Sequence, residues 1–311
     1  MNFGWHYDPA AIAQLYGSLA KPTFAQAAPQ LVGDGAKSDV FFFETEQQVL
    51  GRELLAMDQD GVGSCVGNGF ARNVQHLMLI EIAWEGDEEF PSDLPQDDHF
   101  VAVPAIYGAS RVEIGGGQLR GGDGSNGSWA AEAIKKFGVL FCKKYGSHNL
   151  ERSHFNYRLV REWGDRGIPD ELEPTAREHP VTQITQMRSW ENWRDAVCNG
   201  HPAPLCSDQG FTTVRDSSGF CRPQGSWAHC MASGGAGIAK GNRPFGLIHQ
   251  SWGESPTGNN RLILESGREL MLPQGCFAVD ADVIDRMCRQ GDTWSLAGLK
   301  GFVRRRPKWY T

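Results

Sequence analysis

Apolar positions recur at helical spacing directly after Cys65. Phe70, Val74 and Leu77/Met78 share one face of a helix that the pattern carries from 65 to about 82. The same period predicts helices at 10–19, 102–112, 129–137, 152–164, 190–198 and 281–288. Gly138 is the expected C-cap of the helix at 129–137, and Asp280 the expected N-cap of the last one. In the 152–164 segment Phe155, Leu159 and Trp163 fall together. The patch Val40-Phe41-Phe42-Phe43 reads as a short buried strand or a docking segment. From Val181 onward strands dominate: around Ile184, then 201–211, 225–232, 245–249, 262–264, 271–272 and 275–279. The change of texture divides the chain into an N-terminal arm (1–56), a helical lobe (57–180) and a sheet-rich lobe with a basic tail (181–311).

Composition narrows the class. With 311 residues, 40% hydrophobic and 22% charged, the chain has length for one large domain or two modest ones. Its 38 glycines favour loop-rich architecture over a regular bundle or barrel. A formal charge of −7 argues against polyanions, so nucleic acid is not an expected partner. The aromatic, basic stretch Arg304 to Tyr310 then reads as solvated charge, and so does the acidic run Glu85-Gly86-Asp87-Glu88-Glu89. No apolar run is long enough to span a membrane. The first residues lack a basic region followed by an apolar stretch, so no secretory signal is expected and the place of action is the cytoplasm or a virion. Eight cysteines without Cys-x-x-Cys, and no His-Glu-x-x-His, predict free thiols and neither metal nor cofactor, with one bridge within 198–230 left open. The glycine-rich stretch from Gly115 to Ser128 has no Lys-Ser/Thr after it, so it is not a nucleotide loop.

Candidate chemistry concentrates in Gln59-Asp60-Gly61-Val62-Gly63-Ser64-Cys65. A cysteine opening a helix is either a small buried apolar residue or a nucleophile whose thiolate is favoured by the helix dipole. Glycines before it let another backbone approach, and Gln59 can aim an N–H at a developing oxyanion. Far downstream, His229 sits in a strand of small and apolar residues, and Gln250-Ser251-Trp252-Gly253 ends the next strand.

Gln59, the Gly63-Ser64-Cys65 triplet and the following helix resemble the active-site segment of papain-like cysteine peptidases, where a glutamine precedes the nucleophile by this interval. The order Cys, His, amide, Ser-Trp-Gly completes the resemblance over roughly residues 55–290. It implies an α+β, two-lobed fold with a helical lobe, an antiparallel barrel-like lobe and the active-site cleft between them. It further implies hydrolysis of peptide bonds in a peptide or protein substrate through an acyl-enzyme. His229 would be the base for Cys65, Gln250 would orient it, and Trp252 beside Ser251 would screen that bond. Gln59 and the Cys65 N–H would bind the oxyanion, and Gly63, Ser64, Asn126 and Gly127 would meet substrate main chain. Two positions depart from the family: Val66 replaces the usual aromatic, and Gln250 replaces asparagine, displacing the amide by about 1.5 Å. Relatives often carry a long inhibitory propeptide; here the nucleophile lies near the start, so the arm does a smaller blocking job or control is different. Two other classes fit the same residues: a catalytically silent papain-like scaffold in an assembly, and a cell-wall amidase or acyl transferase.

Overall fold

The computed structural model describes residues 3–85, 89–95, 98–153 and 156–298. The arm supplies α1 (Pro9–Ser18), α2 (Phe24–Ala27), β1 (Val40–Phe41) and α3 (Phe42–Leu50). The helical lobe follows with α4 (Cys65–Glu85), α5 (Val103–Ala109), α6 (Gly127–Lys136), the small hairpin β2 (Lys144–Tyr145) and β3 (His148–Asn149), α7 (Tyr157–Arg166) and α8 (Glu173–Ala176). Next come β4 (Gln183–Gln186), α9 (Trp190–Cys198), β5 (Leu205–Phe211), β6 (Val214–Arg215), β7 (Pro223–Ala239) and β8 (Arg243–His249). The described chain closes with β9 (Thr257–Gly258), β10 (Arg261–Ile263), β11 (Glu269–Met271), β12 (Cys276–Asp280), α10 (Ala281–Arg289) and β13 (Trp294–Ala297).

The long strand β7 organises the sheet lobe. Its second half lies between β1 and β8, β12 pairs the far side of β8, and β5 pairs the first half of β7. All these pairings are antiparallel, and among the described residues the strands do not close into a barrel. Cys206 of β5 faces Cys230 of β7 across that pairing, yet all eight cysteines are free and buried. The bridge left open within 198–230 is not formed.

Most predicted elements are present, with informative differences. Residues 40–43 are half strand and half helix: Val40 and Phe41 extend the sheet, and Phe42 starts α3. The arm therefore does not stand apart. Trp5 and Leu15 pack with α4, Phe24 and Phe42 with α9 and α10, and Phe41 and Phe43 with the far side of the sheet. Asp280 is the N-cap residue of α10 as expected, but its side chain makes no cap hydrogen bond; its carboxylate takes Arg243 at 2.5 and 2.8 Å. The segment around 85–89, residues His154 and Phe155, and the basic tail lie partly or wholly outside the described residues.

The helix α4 departs most from expectation. An amphipathic pattern predicts one buried face, but Arg72, Asn73, Gln75 and His76 are buried as well as Phe70, Val74 and Leu77. Helices enclosed on all sides must pair every polar group they carry. Here Glu46 of α3 meets Arg72 at 2.9 Å and His76 Nε2 at 2.8 Å, and accepts the Leu54 N–H at 2.8 Å. Burial alone would push the Glu46 carboxyl up, but Arg72 and His76 hold it below the usual carboxylate value. Asn73 ties α4 to the sheet through the Ser233 carbonyl at 2.9 Å. The arm thus neutralises the helix that begins at Cys65. Glu46→Gln leaves Arg72 buried without its counter-charge and is expected to cost about 3–5 kcal/mol in urea unfolding at neutral pH. A loss below about 1 kcal/mol would show that Glu46 is not the charge partner the helix depends on.

Candidate active site

Cys65 is the first residue of α4, fully buried, with the N–H groups of Cys230, Gly4 and Val66 against its sulfur. The loop before it is fixed residue by residue. Gly63 donates its N–H to the Asp123 carboxylate at 2.9 Å, and the Ser64 carbonyl and hydroxyl both accept from the Asn68 amide, at 3.0 and 3.1 Å. The Gln59 side chain donates to Val62 O at 2.7 Å, and its carbonyl accepts the Ser251 hydroxyl at 2.6 Å. Ser251 O also receives the Gln59 N–H at 2.9 Å, so the Ser-Trp-Gly corner and the nucleophile loop are stitched together. Residues 192 positions apart in sequence meet here.

On the other side, β7 carries His229 and β8 runs into Gln250 and Trp252. Trp252 stacks on the His229 ring, with centroids 4.3 Å apart and planes 24° apart. Gln250 does not reach His229. Its amide donates to Gly253 O at 3.3 Å and Ser255 O at 2.5 Å, while neither ring nitrogen of His229 has a hydrogen-bond partner among the described residues. The expected orienting bond is absent in this conformation, and the ring is held by aromatic packing. His249, the neighbour on β8, points away toward His76 of α4.

Residues 3–6 pack against both groups: the Gly4 N–H meets the Cys65 sulfur, beside the Cys230 N–H of β7, and the Phe3 ring meets His229. Trp5 N–H donates to Ala228 O at 3.0 Å, Ser125 N–H to Gly4 O at 2.8 Å, and His6 N–H to Ser125 O at 2.8 Å. Trp5 is thereby bridged to Ser125 as a parallel strand. The Phe3 ring sits edge-on to Trp252 (5.8 Å) and His229 (6.4 Å). The approach is close enough to require glycine: a Cβ on Gly4 would lie 1.9 Å from Gly63 O, and one on Gly124 would lie 2.2 Å from the His6 ring. The Trp5 indole enters a pocket and donates to Asp292 at 2.8 Å. Asp292 also accepts from Gly127 N at 2.7 Å and from the Trp294 indole at 2.9 Å. Burial pushes its carboxyl up to about 6, against these three donors.

Enclosure sets the electrostatics. Desolvation, and then the neighbouring Cys230 thiol, raise the Cys65 thiol well above its ordinary value. Desolvation alone lowers His229 to about 3. Both groups are therefore neutral at pH 7. The thiolate–imidazolium pair expected from the sequence is not present while the strand is in place.

No protein-family model and no curated protein matches the sequence. Solved structures do. Xylellain, a cysteine protease from Xylella fastidiosa, is 15% identical, with 96% of this chain and 92% of that chain aligned at a TM-score of 0.51. Procathepsin B S9 from Trypanosoma congolense is 10% identical over 96% of this chain and 86% of its own, at a TM-score of 0.50. The fold is papain-like. At these identities the likeness is one of architecture. Within that papain-like architecture Cys65 opens the helix, His229 lies on a strand of the sheet lobe, and Gln59 sits beside the Cys65 loop.

Several residues at this site have no signal in the sequence. Phe3, Gly4 and Trp5 have no periodicity, and Asp292 is an isolated acid before a strand. The pairing backbone is that of Ser125, whereas Asn126 is the N-cap of α6, accepting Trp129 N–H at 2.8 Å, and Gly127 donates to Asp292. The His229 value carries a sign. A histidine whose folded pKa is depressed takes no proton where the unfolded chain does, so stability falls as pH drops from 6.5 toward about 3. NMR of the His229 ring should show no protonation until pH approaches about 3, and a midpoint near 6.5 would contradict the enclosed geometry.

Proposed function

We propose that this protein is a papain-like cysteine peptidase whose cleft is closed by its own residues 3–6. One observation carries the reading: a single short segment brings the Gly4 N–H to the Cys65 sulfur and the Phe3 ring to His229, and is bound through backbone groups as a peptide would be. A thiol and an imidazole flanking a peptide are equipped for acyl transfer.

With the strand withdrawn, water reaches both groups and the desolvation that keeps them neutral falls. His229 takes the Cys65 proton, the thiolate attacks a substrate carbonyl carbon, and the imidazolium gives its proton to the leaving amine. Water then cleaves the thioester with His229 as base. The Cys65 N–H, and the Gln59 amide N–H that Val62 O does not hold, would stabilise the developing oxyanion, with the Gln59 carbonyl fixed by Ser251; one such donor is worth about 3–4 kcal/mol of barrier. Trp252 keeps the ring in plane. The closing strand survives because it offers the sulfur the N–H of Gly4 rather than a carbonyl carbon. Ser125 and Ala228 serve as the main-chain partners of substrate, as they do for residues 4–6.

A second reading is a catalytically silent scaffold, and the bare nitrogens of His229 with Gln250 turned elsewhere favour it. Gly4→Ala separates the two, because its methyl collides with Gly63 O and lifts the strand without removing any chain. In the 311-residue chain carrying it, hydrolysis of a mixed peptide library should rise by about tenfold or more over wild type, and adding Cys65→Ala should abolish it. A scaffold would cleave nothing in either form.

A further inference from the structure

The glycine-rich loop before α6 has a role that neither phosphate binding nor flexibility describes. It is wrapped around a cation. Arg111, buried behind the cleft, donates through Nη2 to Leu119 O (2.5 Å) and Gly122 O (2.6 Å), and through Nη1 to Gly124 O (2.5 Å). Its Nε holds Gly164 O of α7 at 2.7 Å, and its one carboxylate contact is the half-exposed Asp165 at 3.3 Å. Carbonyls rather than a counter-ion satisfy the guanidinium, whose planar fork fixes each of them in direction.

Nη1 also donates to the Tyr107 hydroxyl at 3.1 Å. That hydroxyl accepts the Gly124 N–H at 2.8 Å and donates to Gly63 O at 3.4 Å. Burial pushes the phenol up, so it remains a neutral donor. One oxygen atom therefore touches both bare-backbone walls of the cleft: Gly63, against which Gly4 packs, and Gly124, next to the Ser125 groups that pair with Gly4 and His6.

We propose that Tyr107 and Arg111 are positioning residues that set the spacing of Gly63 and Ser125, the two backbone strips that grip an extended peptide. The substrate side of this statement rests on the peptidase reading; the grip on residues 4–6 does not.

Both are tested in the full-length chain. In the Gly4→Ala background, adding Tyr107→Phe should slow labelling of Cys65 by a peptidyl epoxide about tenfold while leaving labelling by iodoacetamide, which needs no backbone grip, within about twofold. Without Gly4→Ala, Tyr107→Phe and Arg111→Lys should accelerate amide exchange at Ser125 and His6, with the β7–β8 amides as protected as in wild type. An unchanged reagent ratio together with unchanged exchange overturns the proposal. Equal loss with both reagents, alongside loosened β7–β8 amides, also overturns it, because the pair would then merely hold the fold together. If the Gly4→Ala parent takes no peptidyl label, the peptidase reading falls and exchange at Ser125 and His6 alone decides the positioning role. If Arg111→Lys does not fold, Tyr107→Phe decides.

Discussion

Three glycines make the closed cleft possible. Gly4 lies against Gly63, and Gly124 against His6, at separations where one methyl group would meet backbone or ring atoms. Contact that close brings strand hydrogen bonds from Ser125 and Ala228 within reach and leaves no room for water over Cys65 or His229. The consequence is chemical as well as steric. A thiol and an imidazole activate each other by exchanging a proton, and that exchange creates two charges. In a dry enclosure both charges are disfavoured, and burial moves the Cys65 thiol up and the His229 imidazole down accordingly.

The remainder of the molecule serves to hold the two flanks in register. Glu46 brings the arm onto α4, the helix that Cys65 opens, and neutralises its Arg72. Ser251 couples the Trp252 corner to Gln59, so the wall that holds His229 and the loop before Cys65 cannot drift independently. Trp5 anchors the closing strand on Asp292, a buried carboxyl whose neutral-side shift shows what its enclosure costs. The arm is accordingly part of the fold at β1 and α3 and a guest in the cleft at residues 3–6.

The chain order of Cys65, His229 and the Ser-Trp-Gly corner was legible in the sequence because each motif is local and chemically distinctive. The helical and sheet halves were legible from period alone. What escaped was every feature decided by contacts across the fold. A three-residue strand with no alternation, Phe3-Gly4-Trp5, cannot announce which cleft it enters. Asn126, a polar residue ahead of a helix, caps α6 with its side chain, and the backbone that pairs with Trp5 is that of Ser125 next to it. Asp280 holds the N-cap position of α10, while its carboxylate is taken by Arg243 across the sheet. Gln250 kept its place in the order while its longer side chain found carbonyls at Gly253 and Ser255, so the stacking Trp252, read only as a screen, became the group that holds the ring.

The ionisation of Cys65 tests this account most directly. Thiolate absorbance, taken as the difference between the protein and its Cys65→Ser variant, can be titrated in wild type and in Gly4→Ala. Wild type should show no Cys65 thiolate around neutral pH, and Gly4→Ala should show a thiolate that appears on the acidic side of neutral as His229 takes the proton. Thiolate already present in wild type, or none in either protein, would contradict it.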